Sequence, residues 1–508
     1  MLIYLVFSTQ NSNFAPIIYI IMSRLFRYTL VLILSVLCLP LQAQFQSRQL
    51  DNTKSLGGFG GGMSRSSSSS RSSSSSSKDK DDDGEDPCID PPDDRYCWYL
   101  DPLTGNTYKA EPDTSYIGLC NHSVMESKAM AVSYTSNLYS PHLVNEYFSR
   151  KEDKDFMFAN AYHLFAVDAS EVKYYNTKIP FTVASYSNSG SSVHSNDHLM
   201  IDFAGNIKPN IGIGTMLDYV YARGEYTSSS TKPLKWVSYL YYKSDLYKAN
   251  FSFNLSKYAN QEWGGVLDRE HTLHPDFYND NFTNPRSMPT KLNDAWNTTD
   301  HYNIHFNHSY DFGKWVERND TTASDTAVWD EFIPVGTIFH TVDFQHYKHS
   351  FKVGRGADQT EDGFFPNNYY DISETNDSTS YNNFSTYVGL RLNEGFSKWS
   401  QLGLSAFIGW EHQSYVNLVD SLNLDFIERE HSSNNIWLGG QLSRHQSSAL
   451  TLDVTARTAV SGDKLGDVDI TGDIQTVIPF GRRNPETGLR RDSITLKARG
   501  FFSNTHPS

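Results

Sequence analysis

The stretch HTVDFQHYKH carries His340, His346 and His349, and three imidazoles suffice to hold a transition metal if they converge on one point. Strand geometry keeps them apart. Successive side chains of a strand point to opposite faces, so His340 and His346 share one face and His349 takes the other. We read all three as lumen or interface histidines. Asp420 and Asp425 offer a carboxylate pair of the kind used in acid–base work, but they fall in a polar stretch read as an external loop, where solvated acids are ordinary. The run DKDDDGED sets Asp79, Asp81, Asp83 and Gly84 like the opening of a calcium loop, with Asp90 in place of the usual closing Glu. A serine tract stands where the entering helix belongs, and Pro91 and Pro92 where the exiting one belongs. The run therefore reads as a solvated acidic linker, with calcium binding over Asp79 to Asp90 left open. The sequence contains no HExxH, Gly-x-Ser-x-Gly, phosphate loop or dinucleotide fingerprint. No catalytic, cofactor-binding or metal-ligating residue is assigned; the expectation is a protein that is not an enzyme and uses no cofactor.

Composition narrows the class. The chain has 508 residues, a formal charge of −15, 20% charged residues and 14% aromatics, with 31 Tyr and 30 Phe. An acidic chain without a basic stripe argues against nucleic acid as a partner. Of the four cysteines, Cys38 lies in a segment expected to be removed. Cys88, Cys97 and Cys120 fit no zinc or redox spacing. A Cys88–Cys97 disulfide with Cys120 left over would suit an oxidising compartment, and the pairing of the three stays open.

The N-terminus supplies an address. From Met22 the chain reads MSRLFRYTLVLILSVLCLPLQAQ: Arg24 and Arg27 form a basic region, residues 29–39 an apolar one, and Ala43 a small residue for cleavage. We read 1–43 as a signal peptide region whose true start is Met22, and expect the mature chain to begin near Gln44 or Phe45. Residues 44–97 follow as a Gly/Ser/Asp-rich leader, expected to be disordered and periplasmic because such composition buries too little apolar surface to offset ordering entropy. Gly57 to Gly62 lack both the preceding strand and the Lys-Ser/Thr of a phosphate loop, and read as linker.

From Trp98 period-two segments recur between turn-rich stretches. In KANFSFNLSKY, Phe251, Phe253 and Leu255 alternate with Ser252, Asn254 and Ser256. Ile211, Ile213, Leu217, Tyr219 and Tyr221 oppose Gly212, Gly214, Asp218 and Val220; similar alternation marks 384–392, 402–410, 450–454, 468–478 and 494–502. A soluble sandwich also alternates, but these strands are long enough to span a bilayer when tilted. Several apolar faces end in aromatics (Tyr219, Tyr221, Trp410, Phe502), as interfacial girdles do. The opposite faces hold Gly, Ser, Asn, Asp, Lys and Arg, suiting a wet lumen. Short links over 204–210 and 392–399 contrast with long polar ones over 259–299, 354–381 and 411–434, the asymmetry of outer-membrane barrels; 312–332 is long where a short turn is expected.

The blocks YYNTKIPFTVASYSNSG (from Tyr174), KYANQEWGGV (from Lys257), YNIHFNHSYDFG (from Tyr302) and IPVGTIFHTVDFQHYKHSF (from Ile333), in that order, resemble the putative porin family of Bacteroidetes-type bacteria over roughly 98–508. The resemblance implies a bacterial outer-membrane β-barrel that conducts small solutes, with lipid and solutes as partners.

The expected fold is thus all-β: an antiparallel transmembrane β-barrel of about 14 or more strands when complete, spanning 98–508 behind the disordered leader. About thirteen convincing strands lie between Thr177 and Ser503, and FFSNTHPS ends the chain without the aromatic terminal strand usual in such barrels. We therefore expect a fragment whose C-terminal part is missing and which cannot close in the usual way. Two functions fit: a porin forming an aqueous channel for passive passage of small solutes, or a barrel-anchored surface adhesion or scaffold protein without general pore activity.

Overall fold

The computed structural model describes residues 95–110, 129, 131–135, 137, 139–151, 154–190, 195–274, 285–320, 327–360, 363–365, 375–396, 400–420, 426–445, 450–483 and 490–505. The signal region, most of the leader, the acidic run Asp79 to Asp90, Cys88, Cys120 and Asp425 lie outside the described residues.

Five short strands come first: β1 (Arg95–Leu100), β2 (Thr107–Ala110), β3 (Val132–Tyr134), β4 (His142–Val144) and β5 (Tyr174–Thr177). Thirteen longer ones follow: β6 (Phe181–Ser189), β7 (Asn196–Lys208), β8 (Ile211–Ala222), β9 (Thr231–Lys243), β10 (Tyr247–Glu262), β11 (Ala295–Asp320), β12 (Ala327–Val353), β13 (Asn376–Leu392), β14 (Gly403–Asp420), β15 (Phe426–Arg444), β16 (Leu450–Ser461), β17 (Val468–Arg483) and β18 (Arg490–Asn504). Each of the thirteen pairs antiparallel with its sequence neighbours in one sheet, from β6 at one edge to β18 at the other. Among the described residues β6 and β18 do not pair with each other, so the sheet is not closed.

Burial along the strands is the reverse of a soluble sandwich. Leu404 is 57% exposed while the next residue, Ser405, is 1% exposed. Ser252, Asn254 and Ser256 are buried, and their apolar neighbours Phe251, Phe253 and Leu255 point the other way. An apolar face left uncovered over many strands needs lipid, because water would charge about 25 cal/mol for every Å² of it. On β13 the outward residues run Phe384, Thr386, Val388, Leu390, Leu392. At strand rise and a barrel-like tilt, the stretch from Asn382 to Leu392 covers roughly 25 Å of membrane normal. A polar row bounds it: His346 Nδ1 meets Asn382 Oδ1 at 2.6 Å, Asn382 Nδ2 donates to Ser414 Oγ at 3.3 Å, and Tyr302 stacks on His346 at 4.5 Å.

Links differ between the two ends. Residues 263–294 and 354–375 join β10 to β11 and β12 to β13, whereas 209–210 and 244–246 suffice for β7–β8 and β9–β10. Two expected loops are largely strand. The stretch 312–332 lies mostly within β11 and β12, which are 26 and 27 residues long and run on past an irregularity at Phe312/Gly313. Likewise 411–434 is strand up to Asp420 and again from Phe426, paired from Glu411↔Asn435 to Asp420↔Phe426. The β14–β15 ribbon carries polar side chains on both faces, Gln413 and Ser433 on one and Ser414 and Ser432 on the other, so no hydrophobic alternation marks it.

The largest departure is at the start of the expected barrel. Strand β1 starts at Arg95, within the expected leader, where Tyr96 to Trp98 bring aromatic surface that can be buried. The strands described between 95 and 177 do not join the wall: β2-β1-β5 form one small sheet and β3-β4 another, and with residues 154–174 they make an internal unit that packs on the inner face of the thirteen-stranded sheet.

Candidate functional site

Aromatic rings seat the internal unit. Trp98 stacks on Tyr174 at 5.8 Å and meets Tyr241 of β9 edge-on at 4.9 Å, while Tyr174 packs on Tyr239 at 4.8 Å. Tyr162 stacks on Tyr258 of β10 at 4.4 Å, and Phe158 on His349 of β12 at 3.9 Å. Such pairs add roughly 0.5–1.5 kcal/mol each beyond the area they bury. Cys97, expected to pair with Cys88, is buried in β1 with its thiol donating to the carbonyl of Ala110 at 3.1 Å.

Polar contacts then fix the unit in register. Between β1 and β2, Asp101 Oδ1 accepts the N–H groups of Leu103 and Thr104, both at 2.8 Å, and bends the chain into a tight turn. Gly105 takes φ +69° there and lies so close to Asn307 that a Cβ would stand 2.2 Å from its Oδ1. Gln441 of β15 engages this turn with both ends of its amide. Oε1 accepts from Thr104 Oγ1 at 2.8 Å and Asn106 Nδ2 at 2.6 Å, and Nε2 donates to Asp101 Oδ2 at 3.0 Å. Arg391 of β13 donates to the Thr104 carbonyl at 2.5 Å, and Thr341 of β12 to that of Leu103 at 2.9 Å.

A second contact uses Lys154, Asp155 and Phe156. Asp155 Oδ2 accepts from Gln413 Nε2 at 2.7 Å and Tyr381 Oη at 3.0 Å, and pairs with Lys464 Nζ at 3.2 Å. Lys154 pairs with Asp168 and donates to Tyr347 Oη at 3.2 Å. Burial pushes the Asp168 carboxyl up, but Lys154 and Lys151 beside it outweigh that and hold it at about 2. Burial, with His163 nearby, lowers His142 to about 4. Its Nε2 accepts the N–H of Leu164 at 3.3 Å, which only a neutral ring can do. A third contact runs from Asn254 Nδ2 to the Val167 carbonyl at 3.3 Å.

The wall around the unit is polar. Ser252, Asn254, His301, Asn303, His305 and Asn307 are all buried on the inner faces of β10 and β11. Both ring nitrogens of His301, Nε2 of His305 and Oδ1 of Asn254 find no protein hydrogen-bond partner, capacity suited to water or a polar solute. Charges are paired: Lys235–Asp218 and Lys248–Asp311 at 2.7 Å, Arg457–Asp469 at 2.8 Å. The arrangement can hydrate and orient a polar molecule.

The three histidines separate as alternation requires. His340 faces outward, bonded to His308 at 3.0 Å and Thr386 at 2.9 Å, and His346 shares that face, whereas His349 is buried inside. Among the described residues no group of three or more His, Cys, Asp or Glu could hold a metal ion. Asp420 ends β14. The residues that grip the internal unit, Arg391, Gln413, Gln441 and Lys464, were not singled out by sequence. Only the inward parity of Arg391, within the alternation of 384–392, was legible; Gln413 fell in the stretch read as an external loop, and the partners, hundreds of residues away in the chain, were not legible at all.

A family model described as putative porin matches residues 94–508. Among solved structures, a mutant of the ferric enterobactin receptor from Pseudomonas aeruginosa is 10% identical with a TM-score of 0.35, covering 60% of this chain and 45% of that one. The ferric-catecholate import receptor Fiu from E. coli K12 is 8% identical with a TM-score of 0.34, covering 64% and 46%. The toluene transporter TodX of Pseudomonas putida is 8% identical with a TM-score of 0.23, covering 59% and 80%. The chain thus spans less than half the length of the two receptors. No curated protein matches the sequence.

Proposed function

The chain belongs to the putative porin family, whose place is the outer membrane, and from this premise we propose that it passes small solutes passively through its lumen. The observation that carries the reading is the inverted wall, with apolar side chains outward and Ser, Asn, Gln, His and paired charges inward. An anchor used only for adhesion has no need of a polar, hydrogen-bonding interior in which buried groups stand ready for water. Solutes must pass the internal unit, so conduction is expected to depend on how firmly Gln441, Arg391 and Asp155 hold it. The polar wall and the family favour transport over catalysis.

The test is conductance of the purified full chain in planar bilayers. Thr104→Cys with Gln441→Cys, which face each other across a hydrogen bond of their side chains, would tether unit to wall. Discrete conductance steps, reduced on oxidation of the pair and restored by reductant, are expected. A folded protein that never conducts, tethered or not, would refute the channel and leave the adhesion or scaffold reading.

A further inference from the structure

We propose that Tyr381, Gln413 and Lys464, with Tyr347 beside them, form a binding site for small aromatic carboxylates, which Asp155 and Phe156 of the internal unit occupy as a built-in competitor. The three donors converge on a single carboxylate oxygen, Asp155 Oδ2, at 2.7 to 3.2 Å. Next to it the Phe156 ring lies near-parallel to Tyr381, 5° at 6.2 Å, and to Tyr347, 28° at 5.6 Å. Phe156, Tyr347 and Tyr381 form one buried cluster, and Gln413 is 2% exposed. Tyr347 and Tyr381 also lie against each other at 6.1 Å, so the three rings form a triangular cluster; a carboxylate beside a ring packed against two tyrosines is the shape of an aryl-substituted acid. Glu411, the nearby wall anion, is already occupied. It accepts from Trp437 Nε1 at 2.9 Å and Asn383 Nδ2 at 3.1 Å and lies 3.7 Å from Lys464. Gln413 Nε2 also donates to Glu411 Oε1 at 3.2 Å and to Tyr381 Oη at 3.0 Å, so taking Asp155 away leaves Lys464 without its closer anion and the Tyr381 hydroxyl without its acceptor.

The site deepens the transport reading by naming a solute class, and it rests on that reading only for the ligand's being a solute. A tethered competitor presents itself at an effective concentration on the order of millimolar, so free ligand should bind the intact protein weakly.

The experiment is titration calorimetry on the full chain in detergent with 3-phenylpropanoate as probe. Asp155→Ala with Phe156→Ala should tighten binding at least about tenfold, and Lys464→Met added to that pair should abolish it. Acetate and benzyl alcohol, lacking ring or charge, should bind the emptied site far more weakly. Asp155→Asn with Phe156→Leu, nearly the same shape, serves if the alanine pair does not fold. A folded, emptied protein that ignores the probe, an unchanged affinity with Lys464→Met, or acetate binding as tightly as the probe would each overturn the proposal. Bilayer conductance on the same proteins reports separately: conduction without binding removes this site alone, whereas binding without conduction supports the site and removes the channel.

Discussion

The phenol ring of Tyr387 on β13 lies over Gly409 on β14, where a Cβ would stand 2.3 Å from two ring carbons. The two are register partners. The step repeats on the next pair of strands, with Phe407 over Gly439. Rings laid along the wall in this way fill the gaps left by inward glycines, and Leu103 of the internal unit packs on the surface they make.

Gly409→Val should therefore force Tyr387 into the lumen, costing about 1–3 kcal/mol as overpacking does. The temperature at which the folded, fast-migrating band is lost on electrophoresis reads this out. Adding Tyr387→Ala should recover part of the loss; equal stability of Gly409→Val and the parent would contradict the contact.

Phe253 and Asn254 test the two faces of one strand. Phe253→Arg puts a guanidinium on the lipid face, at about 2–4 kcal/mol near the midplane, whereas Phe253→Leu should be tolerated. Asn254, expected from sequence to face open water, is fully buried and donates to the Val167 carbonyl. Asn254→Arg should thus push the internal unit away and raise conductance. No change in conductance would mean that the unit is not seated against β10.

Gln441→Leu removes acceptor and donor from the turn of the internal unit, leaving Thr104, Asn106 and Asp101 without that partner. A loss of about 1–3 kcal/mol in docking is expected. Faster proteolysis between 95 and 177, with the barrel core intact, is the reading; protection equal to the parent would refute it.

Acid should loosen the unit in two stages. His142 is lowered from 6.5 to about 4, so its neutral form favours the folded state and its contribution, complete above 6.5, is lost as pH falls towards 4. Asp168 is lowered from 3.8 to about 2, so its contribution is present above 3.8 and is lost as pH falls through 2. Fluorescence of Trp98 against pH should show both stages, His142→Gln removing the first and Asp168→Asn the second. A profile unchanged by either substitution would rule the assignment out.

What the sequence determined by itself is the wall. Alternation at Phe251 to Ser256 or at 402–410 settles which side chains share a face, since the period of two is local geometry. The count of about thirteen strands between Thr177 and Ser503 agrees with the thirteen of the large sheet among the described residues, and the separation of His340 and His346 from His349 followed from parity alone. The ribbon beyond Glu411 was illegible because a strand polar on both faces, as at Gln413 and Ser414, has no hydrophobic period. Only the tertiary structure decided that β1 to β5 and residues 154–174 pack on the inner face of the sheet. Trp98, Tyr174 and Tyr162 look like any wall aromatics in sequence, and what sends them inward is the matching surface of Tyr241, Tyr239 and Tyr258. Likewise nothing near Asp155 in the chain announces Gln413, Tyr381 and Lys464. Curving the sheet brings those strands to one point, and that convergence is a long-range property which no local pattern encodes.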